Sequence, residues 1–251
     1  MAKLIFLGTS NAISDAYHEN THMVVEGSDR MVLIDCPNNP LQRFQRAHID
    51  VDSLTDIIVT HFHPDHVSGV PQLLMNLWLM DRTRPIDIHG LPHTLDRLET
   101  LMGQFGWSSW PNFYSVSFHR LTEEPLAPVL ESEEFCIRSE PVQHFIPTIG
   151  LRIEFTRAKK ILAYSCDTRP CPQVVHLASG ADILVHESSG ALPGHSSAAQ
   201  AGEDARQAEV GALYLVHYPT GRFAGGDLVA EARQQFDGPI TLTRDFMTLV
   251  F

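Results

Sequence analysis

The sequence lacks any long hydrophobic run. The apolar stretch Leu4 to Leu7 is too short for the core of a secretion signal, and nothing approaches the roughly 18 apolar residues of a membrane-spanning helix. A membrane role is therefore disfavoured and the cytoplasm is the expected compartment. Cysteine is sparse. Cys36, Cys136, Cys166 and Cys171 stand apart with no Cys-x-x-Cys pair, which points to reduced, mostly buried thiols and against a disulfide framework or a thiolate zinc site. Positive charge is also short: 18 Lys and Arg face 30 Asp and Glu, a formal net charge of −12. The densest basic stretch, Arg152 to Lys160, spends Arg157, Lys159 and Lys160 on a hairpin turn. A protein that grips nucleic acid along its backbone needs a basic face. Long nucleic-acid substrates are disfavoured.

What is present is ordinary in bulk and unusual in one place. At 251 residues, with 43% apolar and 19% charged residues, the chain can bury a large core. No repeat or long linker divides it, so one domain over residues 1–251 is expected. Fourteen histidines is a high count. The run Thr60-His61-Phe62-His63-Pro64-Asp65-His66 gathers three imidazoles and a carboxylate within six consecutive residues. It follows Thr55 to Val59, read as a short buried strand of β-branched residues, and precedes Val70, Leu73, Leu74 and Leu77 at helical spacing. The cluster then lies on a strand-to-helix loop. His61 and His63 project the same way from an extended backbone, while Asp65 and His66 lie beyond the bend and can face a second centre. Neutral imidazole and carboxylate suit zinc-like or manganese-like cations. A solvated loop with incidental histidines is the plainer reading, but four ligand-capable side chains in six residues argue for a metal site.

Strands are expected at Lys3 to Leu7, His22 to Val25 and Met31 to Ile34, and a short helix at Leu41 to Ala47. Beyond the metal loop come a helix near Val70 to Met80, strand Ile86 to His89 and a helix from about Pro92 to Phe105. Phe113 to Leu121 and Phe135 to Val142 read as strands around a loop rich in Pro and Glu. A hairpin pairs Ile149 to Phe155 with Ile161 to Ser165. Helices are expected at Pro172 to Ala178, Ser197 to Glu209 (capped by Ser196 or Ser197) and Asp227 to Phe236, with strands at Ala181 to Val185 and Ala212 to Val216 and an extended end from Ile240 to Phe251. The order implies sheets inside and helices outside. Three apolar strands end in ligand-capable residues: His144 after Pro141-Val142-Gln143, Asp167 after Tyr164-Ser165-Cys166, and His217 after Leu213 to Val216. Each alone is commonplace. If the strands are neighbours, all three converge on the first cluster. Trp107, Trp110 and Phe113 could line a substrate pocket by stacking on a base, although aromatic loop residues more often pack. His186, on a strand end, reads as a packed core residue, and His18, His22, His48, His89, His93, His119 and His176 read as structural or exposed.

With these residues in view, the chain resembles the metallo-β-lactamase superfamily and, within it, the ribonuclease Z-like branch. The resemblance runs through Phe6-Leu7-Gly8-Thr9-Ser10, Val32 to Cys36, His61 to His66, His144, Asp167-Thr168-Arg169-Pro170, His186-Glu187-Ser188, His195-Ser196-Ser197 and His217. His-x-His-x-Asp-His marks only the superfamily; the first loop and the His195 segment mark the branch. The resemblance implies an α/β (α+β) fold, a four-layer αββα sandwich, and two divalent cations, zinc first with manganese or iron accepted. It implies His61, His63 and His144 on one cation, Asp65, His66 and His217 on the other, and Asp167 bridging. Asp35 would orient a ligand loop, His195 would protonate the leaving oxygen, Glu187 would orient His195, and Asp65 could accept the proton of the shared water. A homodimer is implied as well.

Ribonuclease Z usually carries a flexible arm after the residue equivalent to His144. Here Asp167 comes only 23 residues after His144, and the predicted hairpin fills the interval. The expected substrate is therefore a small phosphodiester, with cyclic mononucleotides leading. A transfer RNA 3′-end endonuclease, or a lactonase, thioesterase or sulfatase, is the alternative.

Overall fold

The first strand, β1 (Lys3–Gly8), shows how the layers arise. Leu4 and Phe6 join one hydrophobic cluster, Ile5 and Leu7 another, and all four are buried. A strand apolar on both faces must be covered on both. In the computed structural model, which describes residues 1–251, β1 is followed by β2 (His22–Glu26), β3 (Met31–Ile34), α1 (Pro40–Arg46), β4 (Asp56–Ile58), α2 (Pro64–Val67), α3 (Val70–Leu79), β5 (Ile86–Gly90), α4 (Pro92–Gln104) and β6 (Val116–Arg120). The second half runs β7 (Ala127–Glu131), β8 (Phe135–Val142), β9 (Thr148–Phe155), β10 (Lys160–Tyr164), α5 (Pro172–Ala178), β11 (Ile183–Glu187), α6 (Ala198–Gln207), β12 (Ala212–Val216), α7 (Leu228–Ala232), β13 (Ile240–Leu242) and β14 (Thr248–Val250).

Two seven-stranded mixed sheets result, ordered β14-β1-β2-β3-β4-β5-β6 and β13-β12-β11-β10-β9-β8-β7. In each, antiparallel hairpins give way to parallel strands joined by helical crossovers: β3 to β6 in the first sheet, β10 to β13 in the second. The central core, with Phe6, Met23 and Ile34 from one sheet and Phe135, Leu151 and Tyr164 from the other, fills the space between them. Helices α3 and α4 pack on the outer face of the first sheet through Leu73, Leu77, Leu95 and Leu98. Helices α5, α6 and α7 cover the second through Leu177, Ala201, Ala205 and Ala232. This is the expected four-layer αββα sandwich. No helix is long and apolar enough to cross a membrane.

The structure departs from the sequence reading in three places. The loop rich in Pro and Glu contains a strand, β7, whose Pro128 sits at a register shift against β8, on the sheet's outer edge where a missing N–H is tolerated. The last helix, α7, is shorter than expected at five residues, capped by Asp227, whose side chain accepts from Ala230 N. The extended C-terminal segment splits, so that β13 extends the second sheet and β14 pairs with β1 in the first. All four cysteines are free, and Cys36, Cys166 and Cys171 are buried, as expected.

Candidate metal centre

Parallel strands leave their C-terminal ends at one rim of each sheet, and loops from those ends carry the chemistry of open α/β sheets. Asp35 follows β3, the His61 to His66 run follows β4, His144 follows β8, Asp167 follows β10 and His217 follows β12, while Glu187 ends β11. Asp35, Cys166 and His217 all have positive φ, at 61°, 54° and 53°. Each left-handed residue costs about 1–2 kcal/mol. Such strain turns the chain abruptly at the strand ends where Asp35, Asp167 and His217 stand.

All seven sequence-predicted ligands come together in two groups. His61, His63 and His144 form one, and Asp65, His66, Asp167 and His217 the other, with the ligand-capable atoms of each group within 4.8 Å of one another. His63 Nδ1 lies 3.1 Å from both His61 Nε2 and His144 Nε2. Asp167 Oδ2 lies 3.5 Å from His66 Nε2, 3.4 Å from His217 Nε2 and 4.0 Å from His61 Nε2, so one oxygen faces both groups. Asp65 Oδ2 is 3.5 Å from both His66 Nε2 and His217 Nε2.

The opposite ring nitrogens fix the tautomers. His66 Nδ1 donates to Asp35 Oδ2 at 2.8 Å, and His144 Nδ1 to the Gly194 carbonyl at 2.7 Å. Thr60 Oγ1 spends its hydrogen on Asp35 and so accepts from His61 Nδ1 at 3.1 Å. Ser189 Oγ donates to the His217 carbonyl at 2.7 Å and accepts from His217 Nδ1 at 2.9 Å. Four Nε2 lone pairs therefore converge on the cleft. His66 Nε2, His217 Nε2 and Asp167 Oδ1 are buried without a hydrogen-bond partner, an arrangement that costs free energy unless a cation takes the lone pairs. Ligands at about 2.1 Å around one tetrahedral cation stand about 3.4 Å apart. The residues fit divalent metal ions.

Electrostatics agree. Burial lowers the pKa of His61, assisted by the charge on His66, and burial also lowers those of His63 and His144, so all three are held in the neutral, ligating form. At His66 burial opposes a charge, but Asp167, Asp35 and Asp65 outweigh it and push the pKa well up. A cation bound there would displace that proton. Burial works to raise both carboxylates but is overcome, by His66 and His217 at Asp65, which is lowered to about 2, and by His217 and His66 at Asp167.

His195 and Glu187 stand beside these groups. Glu187 is fully buried and accepts from Thr168 N, Ser189 N and, at 2.9 Å, His195 Nδ1. Burial opposes a charge on His195, and the Glu187 hydrogen bond overcomes it and raises the pKa. A cleft of about 210 Å³ is lined by His63, Asp65, Asp167, His195 and His217, with Asn11 to Ile13 of the loop after β1 along one wall.

Trp107, Trp110 and Phe113 lie elsewhere and pack, the reading the sequence favoured over a pocket role. Trp78 and Trp110 stack at 5.0 Å, Trp107 and Phe113 meet edge to face at 5.9 Å, and all pack on the α3–α4 cluster. His186 is a packed core residue as expected, bonded to Asp204 and to the Glu187 carbonyl. The sequence reading missed Ser189, Thr60 and the Gly194 carbonyl, which orient three of the candidate ligands. Only the position of Ser189, next to His186-Glu187-Ser188, offered a hint.

Residues 2–222 match the family profile described as Anti-Pycsar protein Apyc1. The chain belongs to the Apyc1 family. Relatives of this Apyc1-family chain include a Ribonuclease Z of Mycolicibacterium gilvum, 32% identical over 98% of the chain and 94% of that protein. Among solved structures, the metallo-β-lactamase fold protein YhfI of Bacillus subtilis superposes with TM-score 0.83 at 20% identity, covering 99% of this chain and 98% of that one. The short form of human tRNase Z (ELAC1) follows at TM-score 0.80 and 20% identity, with coverage of 99% and 98%. The metallo-β-lactamase fold and the ribonuclease Z-like relationship expected from the sequence both hold. The Apyc1-family chain is a metallo-hydrolase.

Proposed function

We propose that this Apyc1-family chain is a dinuclear-metal phosphodiesterase acting on a small phosphodiester, with cyclic mononucleotides as the leading substrate class. The observation that carries the reading is a single oxygen, Asp167 Oδ2, facing two separate ligand groups. His61, His63 and His144 would hold one cation and Asp65, His66 and His217 the other. Two divalent cations so held would neutralise the single charge of a phosphodiester and activate a water. Asp65, kept ionised, accepts the proton of the attacking water. His195 supplies the proton to the departing oxygen as the P–O bond breaks, and Glu187 keeps its Nδ1–H turned away so that the other ring nitrogen faces the reaction. The whole chain, residues 1–251, acts as one hydrolase domain, expected with zinc, as a homodimer and in the cytoplasm. Metal analysis, light scattering and fractionation test those three points.

Substrate size favours the small-molecule reading. The residues from His144 to Asp167 are spent on β9, β10 and their turn, which leaves no arm for RNA. The 32%-identical Ribonuclease Z supports transfer RNA 3′-end cleavage as the second reading. One panel separates them: 3′,5′- and 2′,3′-cyclic nucleotides, a bis-aryl phosphodiester, a 3′-extended precursor transfer RNA and a lactone. It is run on metal-depleted protein and on protein reloaded with zinc or manganese. We expect metal-dependent turnover of the cyclic nucleotides. Cleavage of the RNA with the cyclic nucleotides left intact, or turnover of the lactone alone, overturns the proposal.

A further inference from the structure

A second space adjoins the metal cleft. A chamber of about 420 Å³ shares His195 and Leu192 with it and is walled by His144, Phe145, Arg169 and Gly194. Because His195 serves the departing oxygen, whatever is attached to that oxygen lies on the His195 side, where the chamber is. This step rests on the phosphodiesterase reading above.

Two side chains in the chamber are only partly committed to the fold. Phe145 is 62% exposed, although a large aromatic ring gains stability by burial. Its place is nonetheless fixed: the His144 ring meets it edge to face at 5.0 Å, and Gly194 backs it closely. A Cβ on Gly194 would come within 2.6 Å of Phe145 Cε2, and its φ of +79° excludes most other residues. The second is Arg169. Its Nε donates to Gln143 Oε1 at 2.9 Å and its backbone N–H to the Gln143 carbonyl, which leaves both terminal nitrogens of the guanidinium free of protein partners. In a chain of net charge −12, an arginine without a carboxylate partner beside a metal centre is an unspent cation.

We infer that the chamber is a base-binding subsite. The nucleobase of the substrate stacks on Phe145, and the fork of Arg169 donates to the acceptor atoms on the base edge. Stacking on an aromatic ring tolerates any base, because every base has a π-face. The planar guanidinium fork suits a pair of acceptors, which a lysine ammonium does not reproduce. Phe145 follows His144 directly and Arg169 lies two residues after Asp167, so the ligands and the subsite are positioned by the same strand ends.

Steady-state kinetics on the metal-loaded enzyme test this, with a 3′,5′-cyclic nucleotide and the matching ribose 3′,5′-cyclic phosphate that lacks a base. The wild type is expected to favour the nucleotide by about tenfold or more in kcat/KM, mostly through KM. Phe145→Ala and Arg169→Ala should each collapse that ratio, Phe145→Trp should retain it, and Arg169→Lys should fail to restore it. A wild type without preference, or alanine variants that keep the ratio, overturns the subsite. Failure of the underlying reading looks different: the wild type then turns over neither cyclic phosphate nor a bis-aryl phosphodiester, and the subsite falls with it.

Discussion

In the proposed reaction His195 and Glu187 divide one task, and the division makes a pH prediction. As a proton donor His195 would act in its acid form, and the Glu187 hydrogen bond raises its pKa against the opposing effect of burial. Glu187→Gln removes that charge, so His195 loses its proton at lower pH. The alkaline fall of kcat/KM should move to lower pH, as read from a profile over pH 5 to 9. His195→Ala should lower the rate by about 10²–10⁴-fold on a substrate with an alkoxide leaving group and far less on a nitrophenyl ester, whose leaving oxygen needs no proton. An equal loss on both substrates would remove the proton-donor role. His22 makes a second prediction at this scale. It is fully buried, and its pKa is lowered to about 3, first by burial and then by the charges of Arg43 and His66. The folded state therefore holds His22 neutral. Its stabilising contribution is complete above about pH 6.5 and is lost as pH falls toward 3, by up to about 1.4 kcal/mol per pH unit. Urea unfolding at pH 7, 6 and 5 should show a shallower acid loss for His22→Asn than for the wild type; equal slopes would rule this out.

At the scale of elements, the C-terminal segment matters beyond its length. Between β13 and β14, Asp245 accepts from Thr9 Oγ1, from Glu19 N and from the Arg43 guanidinium of α1, while Arg43 also donates to the Leu7 carbonyl. Thr9 in turn accepts the backbone N–H of His217 at 2.8 Å. The ion pair is nearly buried, with 8% and 6% of its side chains exposed. Asp245→Ala strands a buried guanidinium and should cost about 3–5 kcal/mol in denaturant unfolding. A loss under 1 kcal/mol would show that water or another group replaces the carboxylate. None of this was legible in the sequence, because residues 9, 43 and 245 share no local pattern. The candidate ligands were legible for the opposite reason: His61 to His66 are contiguous, and His144, Asp167 and His217 each end an apolar run. Helices with a clear apolar stripe, such as α4, were read almost to the residue. Strand β7 was missed because Pro128 and the neighbouring Glu residues carry a turn's composition while pairing at a sheet edge, where such residues are permitted. The orienting groups Thr60 and the Gly194 carbonyl were invisible, and Ser189 was hinted at only by its place after His186-Glu187-Ser188, because a hydroxyl or a backbone carbonyl has no sequence signature until tertiary structure brings a histidine to it.

At the scale of the whole molecule, net charge separates the two substrate readings. Two bound dications would still leave the chain at about −8. Its far field then repels any anionic substrate, and the local positive charge of the metal centre acts only at short range. Exposed charges are screened over a Debye length of about 10 Å at 0.1 M salt, so added salt weakens the repulsion more than the attraction inside the cleft. For a cyclic nucleotide, kcat/KM should stay level or rise between about 20 and 200 mM monovalent salt at fixed metal and pH. An enzyme that neutralises several phosphates of an RNA behaves in the opposite sense, because each contact releases counterions and affinity falls steeply with salt. A steep decline of kcat/KM with salt on the cyclic nucleotide would mean that a basic surface dominates the encounter. No cluster of Lys and Arg provides such a surface, since the basic residues of the β9–β10 turn are partly committed to Glu134 and Asp182 through Arg157 and Lys160.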